Sequence, residues 1–183
     1  MPDGRELRGH AGQAQPYAVE CTRWVELQGT VAWHASLVGV LGTHTVFRLL
    51  NTPEHLPMVH EFAVADPSDR TTTAKESVAQ AKQIMNKVVP KGVTPLTKHL
   101  KQIRDSVSSI QATLRSRGQQ AVVVIATDGL PTDEIGDSTE EAREDFRNIL
   151  KAMQTLPIWV VIRLCTDDTE VVSYYNALDG QVR

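Results

Sequence analysis

Two loops hold the residues best suited to chemistry. Thr127-Asp128-Gly129-Leu130-Pro131-Thr132-Asp133-Glu134 directly follows the apolar run Ala121–Ala126. A carboxylate placed just after a buried strand can bind a hard cation, or act as an acid or base. Asp-Gly and Leu-Pro also shape a turn by themselves, with Asp133 and Glu134 simply solvated. The second loop is Gly92-Val93-Thr94-Pro95-Leu96-Thr97, ahead of an amphipathic segment. Its hydroxyls suit a metal ion or a phosphate. Taken alone, helix capping by Thr94 with Pro95 in the first turn is the simpler account.

Other chemistries find little support. The six histidines, His10, His34, His44, His55, His60 and His99, form no spaced pair of the H-E-x-x-H kind. His34 and His99 fall on helical patterns, at surface or boundary positions. No Gly-rich phosphate loop follows a strand and no G-x-S-x-G occurs. Trp24 and Trp33 share one helix and read as core and boundary packing. Cys21 and Cys165 lack metal-ligand spacing, and Cys165, at the end of an apolar run, reads as a small buried residue. A disulfide scaffold is not expected, and a reducing, cytoplasmic compartment is the default.

A formal net charge of -3 and 5% aromatics argue against a nucleic-acid binder. No stretch approaches the roughly 20 apolar residues that span a bilayer, and the polar start shows no secretory signal.

Elements must position these loops. Residues 1–21, with Gly4, Gly9, Gly12 and Pro16 among polar neighbours, read as an irregular lead-in. Thr22 opens a helix with Trp24, Leu27, Val31, Ala35 and Val38 on one face, ended by Gly42. Thr45–Leu50 and Met58–Ala65 read as strands of a hairpin at a sheet edge. Ala74–Val89 is helical, and Leu96, Leu100, Ile103, Val107, Ile110 and Leu114 mark the cleanest helix, stopped by Gly118. Ala121–Ala126 and Ile158–Leu164 read as strands covered on both faces. Between them lies a helix that Ser138 and Glu141 cap, and a last helix starts at Asp167 with Glu170. Alternating strands and helices predict an α/β layered fold with a mainly parallel sheet, and sites at the strands' carboxyl ends.

Gly-x-Thr-Pro-Leu-Thr before an amphipathic helix, then Val-Val-Val-Ile-x-Thr-Asp-Gly-x-Pro-Thr-Asp, resembles the von Willebrand factor type A (vWA) domain. Thr22-Arg23-Trp24-x-Glu26-Leu27 resembles the start of that family's first helix, and Val46–Asn51 its second strand. The similarity runs from Thr22 to Asp179 and is nearest to intracellular, stand-alone members. It implies a Rossmann-like three-layer sandwich with an antiparallel edge strand, formed by residues 22–183 as a single domain. It also implies a metal-ion-dependent adhesion site, in which Thr94 matches the second-loop Thr and Asp128 the third-loop Asp. Thr94 and Asp128 would then face each other across the carboxyl edge and hold Mg²⁺ weakly. A protein partner would complete the coordination through an acidic side chain.

The family's D-x-S-x-S loop and the strand before it have no counterpart here, so the domain reads as N-terminally incomplete, and it stops soon after its last helix begins. A missing central strand leaves Thr45–Leu50 and Ala121–Ala126 with edges to fill. They can pair directly, or borrow a strand from the first residues or another molecule. The expected function is a protein-interaction module with a partial metal site, and no enzyme. An Asp128-dependent phosphotransfer or phosphatase-like enzyme is the alternative, disfavoured because no second Asp stands two residues from Asp128. A non-functional fragment of a longer vWA protein is a third.

Overall fold

The computed structural model describes residues 23–180, so residues 1–21, expected as a lead-in, lie outside them. The chain order is α1 (Arg23–Leu41), β1 (Thr45–Arg48), β2 (Glu61–Val64), α2 (Ala74–Lys87), α3 (Leu96–Ser116), β3 (Ala121–Thr127), α4 (Glu140–Met153), β4 (Ile158–Leu164) and α5 (Thr169–Asp179). This is a mixed α/β fold.

The helix starts show local chemistry at work. Thr73 caps α2 through a full capping box: its hydroxyl accepts from Glu76 N, and the Glu76 carboxylate accepts from Thr73 N. Two expected caps sit one residue further on. Thr139, not Ser138, accepts from Ala142 N at the start of α4, and Asp168, not Asp167, accepts from Glu170 N and Val171 N at α5. Ser138 instead donates to Pro131 O, at 3.0 Å. At α3 the N-cap position is Pro95, which has no side chain to offer, so Thr94 does not cap that helix.

The strands form two separate pairs. β1 and β2 are antiparallel, with Thr45 opposite Val64 and Arg48 opposite Glu61, as a hairpin requires. β3 and β4 are parallel, with Ala121 opposite Ile158 and Thr127 opposite Leu164. No ladder joins β1 to β3 among the described residues, so direct pairing has not closed the sheet.

Each pair has its own core. Leu96 and Leu100 of α3, Phe146, Ile149, Leu150 and Met153 of α4, and Val171, Tyr175 and Leu178 of α5 pack on one face of β3–β4 around Ile125. Ala35 of α1, Ala81 of α2 and Val64 of β2 form a smaller cluster, against which Phe47 and Phe62 stack at 5.3 Å. The expectation that β3 and β4 are covered on both faces is not met. Val122 and Trp159 are 65% and 62% exposed, and Val124 and Val161 about half exposed, because no described helix packs on that side. An unbroken apolar run shows that a strand avoids polar residues; it does not show what lies over it. Trp33 is likewise exposed and takes no part in the core.

Helix α3 braces the hairpin to the main core. The Arg48 guanidinium donates to Gln102 Oε1 at 3.0 Å, and Leu50 packs against the α3–α4–α5 cluster. His99, expected at a boundary, is in fact buried, and its Nε2 donates to Leu50 O at 2.9 Å in the tautomer that this carbonyl requires. The His60 ring lies 5.4 Å from it. Burial pushes the His99 imidazole below its ordinary range, against the bond to Leu50 O and with the positive fields of His60, Arg48 and Lys98.

The sign of the pH effect follows. The unfolded chain takes up the His99 proton near pH 6.5, roughly its unperturbed value, and the folded chain only at lower pH. Stability from this site is therefore complete above about pH 6.5 and falls as pH drops toward the folded value. Urea unfolding at pH 7.5 and 5.5 should show the wild type losing more stability on acidification than His99→Gln, whose amide can still donate to Leu50 O.

Candidate functional site

β3 and β4 deliver their carboxyl ends to one edge, where Cys165 N donates to Thr127 O at 2.9 Å and extends the ladder by one bond. Thr127 is buried. Its hydroxyl donates to Gly129 O at 3.1 Å and accepts from Gly129 N at 3.3 Å, which folds the chain sharply around Asp128. From below, the Tyr175 hydroxyl of α5 donates to the same Gly129 O at 3.1 Å. Burial raises this phenol far above its usual range, so it remains a donor at any physiological pH. The turn leaves Asp128 exposed at the edge.

The rest of the loop is not merely solvated, as its polarity suggested. Asp133 is half-buried, and its Oδ1 accepts from Ile135 N, Gly136 N and Asp137 N, at 3.0, 2.8 and 2.8 Å. One carboxylate oxygen thereby orders three backbone donors, as at a helix start.

The loop before α3 is stitched to this one. Thr94 N donates to Thr132 Oγ1, and Thr132 N donates to Thr94 O, both at 3.0 Å. On its other side, Asn51 Nδ2 donates to Val93 O at 2.7 Å, so the end of the β1 segment meets the same loop. Gly92 takes φ +112°, and a Cβ there would stand 2.6 Å from Asn51 Cγ. Gly136, at φ +104°, would meet Val93 Cγ1 at 2.6 Å. Glycine permits both close approaches.

The two sequence-derived site residues sit in loops that the fold brings together. A Cβ on Gly129, the residue after Asp128, would stand 3.7 Å from Thr94 Oγ1. Neither the Thr94 hydroxyl nor the Asp128 carboxylate hydrogen-bonds to another described residue. Both are hard oxygen donors, as Mg²⁺ prefers. Among the described residues no group of three or more His, Cys, Asp or Glu side chains converges to hold a metal.

The start of α1 belongs to this edge as well. Arg23 Nη2 lies 3.4 Å from Asp167 Oδ1, just past β4. Cys165, half-buried here and not deep in a core, has its thiol pushed up, first by burial and then by the negative fields of Glu26 and Asp128; Arg163 opposes them. Glu26 of α1 and Asp128 thus act on one sulfur. Thr132, Asn51 and Tyr175 are the supports that sequence reasoning missed. Thr132 was visible as a hydroxyl in the right loop, but Asn51 and Tyr175 carried no signal for this role. Compared with known proteins, the chain matches no family model, no curated protein and no solved structure.

The two loop glycines separate cleanly by substitution. Gly129→Ala places its methyl at ordinary contact distance and should change the urea midpoint little. Gly92→Ala combines a left-handed φ with the Asn51 clash and should cost about 1–3 kcal/mol in the same measurement.

Proposed function

We propose that this chain is a protein-interaction module of the vWA type, whose Thr94 and Asp128 form a partial Mg²⁺ site that takes an acidic side chain of a protein partner. The observation that carries this reading is the stitching of the Thr94 loop to the Asp128 loop at the carboxyl edge of a parallel strand pair. Open α/β sheets bind ligands at that edge. The sequence motifs that resemble the vWA family fall in those two loops and in that order. A Rossmann-like sandwich is the architecture that goes with this reading, and the parallel β3–β4 pair with α3, α4 and α5 on one face is the part that supports it.

The chemistry fits a weak site that water completes. Mg²⁺ demands near-octahedral oxygen coordination and gives up its waters reluctantly. A hydroxyl and a carboxylate supply two positions, so solvent or a partner's carboxylate must fill the remainder. When bound, the ion would supply positive charge at an edge where Glu26, Asp128, Asp167 and Asp168 otherwise gather negative charge. The role of Asp128 is to anchor the ion, and that of Thr94 to add a neutral ligand without further charge. Binding, not catalysis, is the proposed role, since the Asp128 loop lacks a second carboxylate two residues on. The cytoplasm remains the proposed compartment on cysteine usage alone. No helix among the described residues is long and apolar enough to cross a membrane.

Calorimetric titration with MgCl₂ should give binding no tighter than roughly 10⁻⁴ M, abolished by Asp128→Ala with the melting temperature unchanged. A fluorescent oligoglutamate peptide should bind only when Mg²⁺ is present. Mg²⁺ uptake that survives Asp128→Ala, or none at any concentration, would overturn the proposal.

A further inference from the structure

Two apolar surfaces have no cover among the described residues. The first is the bare face of β3–β4. Val122 stands opposite Trp159 and Val124 opposite Val161, so the four side chains form one block. They are 48% to 65% exposed, while α3, α4 and α5 pack on the other face. A sheet face of this composition ordinarily lies under another layer.

The second is α1. A helix that meets water carries charge on its outward side, as α2, α3 and α4 do with the exposed Lys82, Lys101 and Glu144. From Leu27 to Leu41, α1 has no Asp, Glu, Lys or Arg. A helix apolar on all sides belongs in an interior, yet Ala35 alone of α1 is fully buried, against α2 and β2. On the outer side Gly29, Trp33, Leu37 and Leu41 recur every fourth residue and form one exposed ridge. Trp33, Leu37 and Leu41 are 60%, 40% and 65% exposed, and Val40 beside them 86%. A Cβ on Gly29 would meet nothing within 4 Å, which leaves a notch in the ridge for an incoming side chain.

Area and composition together say what fits. Weighted by their exposure, the ridge, Val40 and the strand block offer on the order of 900 Å² of apolar surface, against the roughly 800 Å² that each partner gives to a standard interface. Neither surface reaches that figure alone. Neither holds a charged residue, so a partner recognised by charge finds nothing on them to pair with. Homodimer interfaces are the more apolar kind, with charge depleted at their core. The chain also carries both halves of a missing layer: a sheet face without a helix, and a helix without an outer neighbour. The two are near each other, since α1 starts where β4 ends, with Arg23 Nη2 3.4 Å from Asp167 Oδ1.

We propose that a second copy of this chain docks on both surfaces, forming a two-fold dimer that buries the α1 ridge and the bare β3–β4 face of each copy. A two-fold contact uses the same patch on both partners, so one self-complementary surface is enough. This inference rests on exposure and composition, not on the metal reading, so either can fail alone.

Sedimentation velocity of the full chain from about 1 to 100 µM tests it. The wild type should pass from monomer to dimer within that range, and acrylamide quenching of its tryptophan fluorescence should fall as the dimer forms. Trp33→Glu and Trp159→Glu each place a charge in the interface and should each weaken dimerisation roughly tenfold or more. Ile110→Glu, at an exposed position of α3, should match the wild type. A wild type that stays monomeric at every concentration overturns the proposal, and that reading needs no variant to fold. A dimer that either tryptophan variant leaves intact also overturns it, since the interface needs both surfaces. Growth beyond the dimer overturns it too, because a two-fold contact closes and a head-to-tail one does not.

Discussion

The structure depends on one short piece of backbone, Gly92-Val93-Thr94. Val93 O receives the Asn51 amide from the hairpin, and Thr94 exchanges two hydrogen bonds with Thr132 from the loop after β3. With no ladder between β1 and β3, these contacts and the α3 brace hold the two halves in register. Backbone groups placed in such a loop must find partners, since a buried unpaired donor or acceptor is costly. Here the partners come from both sides, and the loop becomes a clamp. Gly92 and Gly136 are what let the three segments come so close.

The clamp also explains why the candidate site is ordered although its chemical groups are free. Asp128 stands on a turn that Thr127 closes from within and Tyr175 holds from beneath. Asp133 fixes the far end by collecting three N–H groups. The polar side chains that look functional in sequence are mostly occupied with backbone. Asp128 and Thr94 stand apart from this, because the turn at Thr127 and Gly129 and the bonds to Thr132 hold the backbone around them and leave their side-chain oxygens at the edge. A binding site needs that division between supporting groups and presented groups.

Charge and burial add a second layer around the same edge. Glu26, Asp128 and Asp167 come from three separate elements, and Arg23 reaches across to Asp167. Away from it, His99 is buried with the half-buried His60 ring beside it, and protonation of His99 is opposed by burial and by the positive fields of His60 and Arg48. The hairpin is thus joined to α3 by the Arg48–Gln102 bond and by a His99 that burial keeps from protonating, while the carboxyl edge gathers acid.

The helices were legible in the sequence. The 4-3-4-3-4 spacing from Leu96 to Leu114 and the Phe146–Ile149–Leu150–Met153 face state which side is buried, because helical period and apolar burial are local and additive properties. The placement of the Thr94 loop before α3 and of the Asp128 loop after β3 was legible too, since both loops border elements with strong local patterns. Caps shifted by one residue, because several neighbouring side chains can each satisfy a first-turn amide and packing selects among them. That β3 and β4 have one bare face, that His99 is buried against Leu50 O, and that Asn51 and Tyr175 serve the site were decided by tertiary structure alone. Each depends on which elements lie against each other, and the partners are separated by tens of residues that no local pattern connects. Periodicity in the sequence determined which side of each helix seeks cover. Only the folded chain decided what provides that cover, because burial is a property of pairs of surfaces and a sequence displays them one at a time.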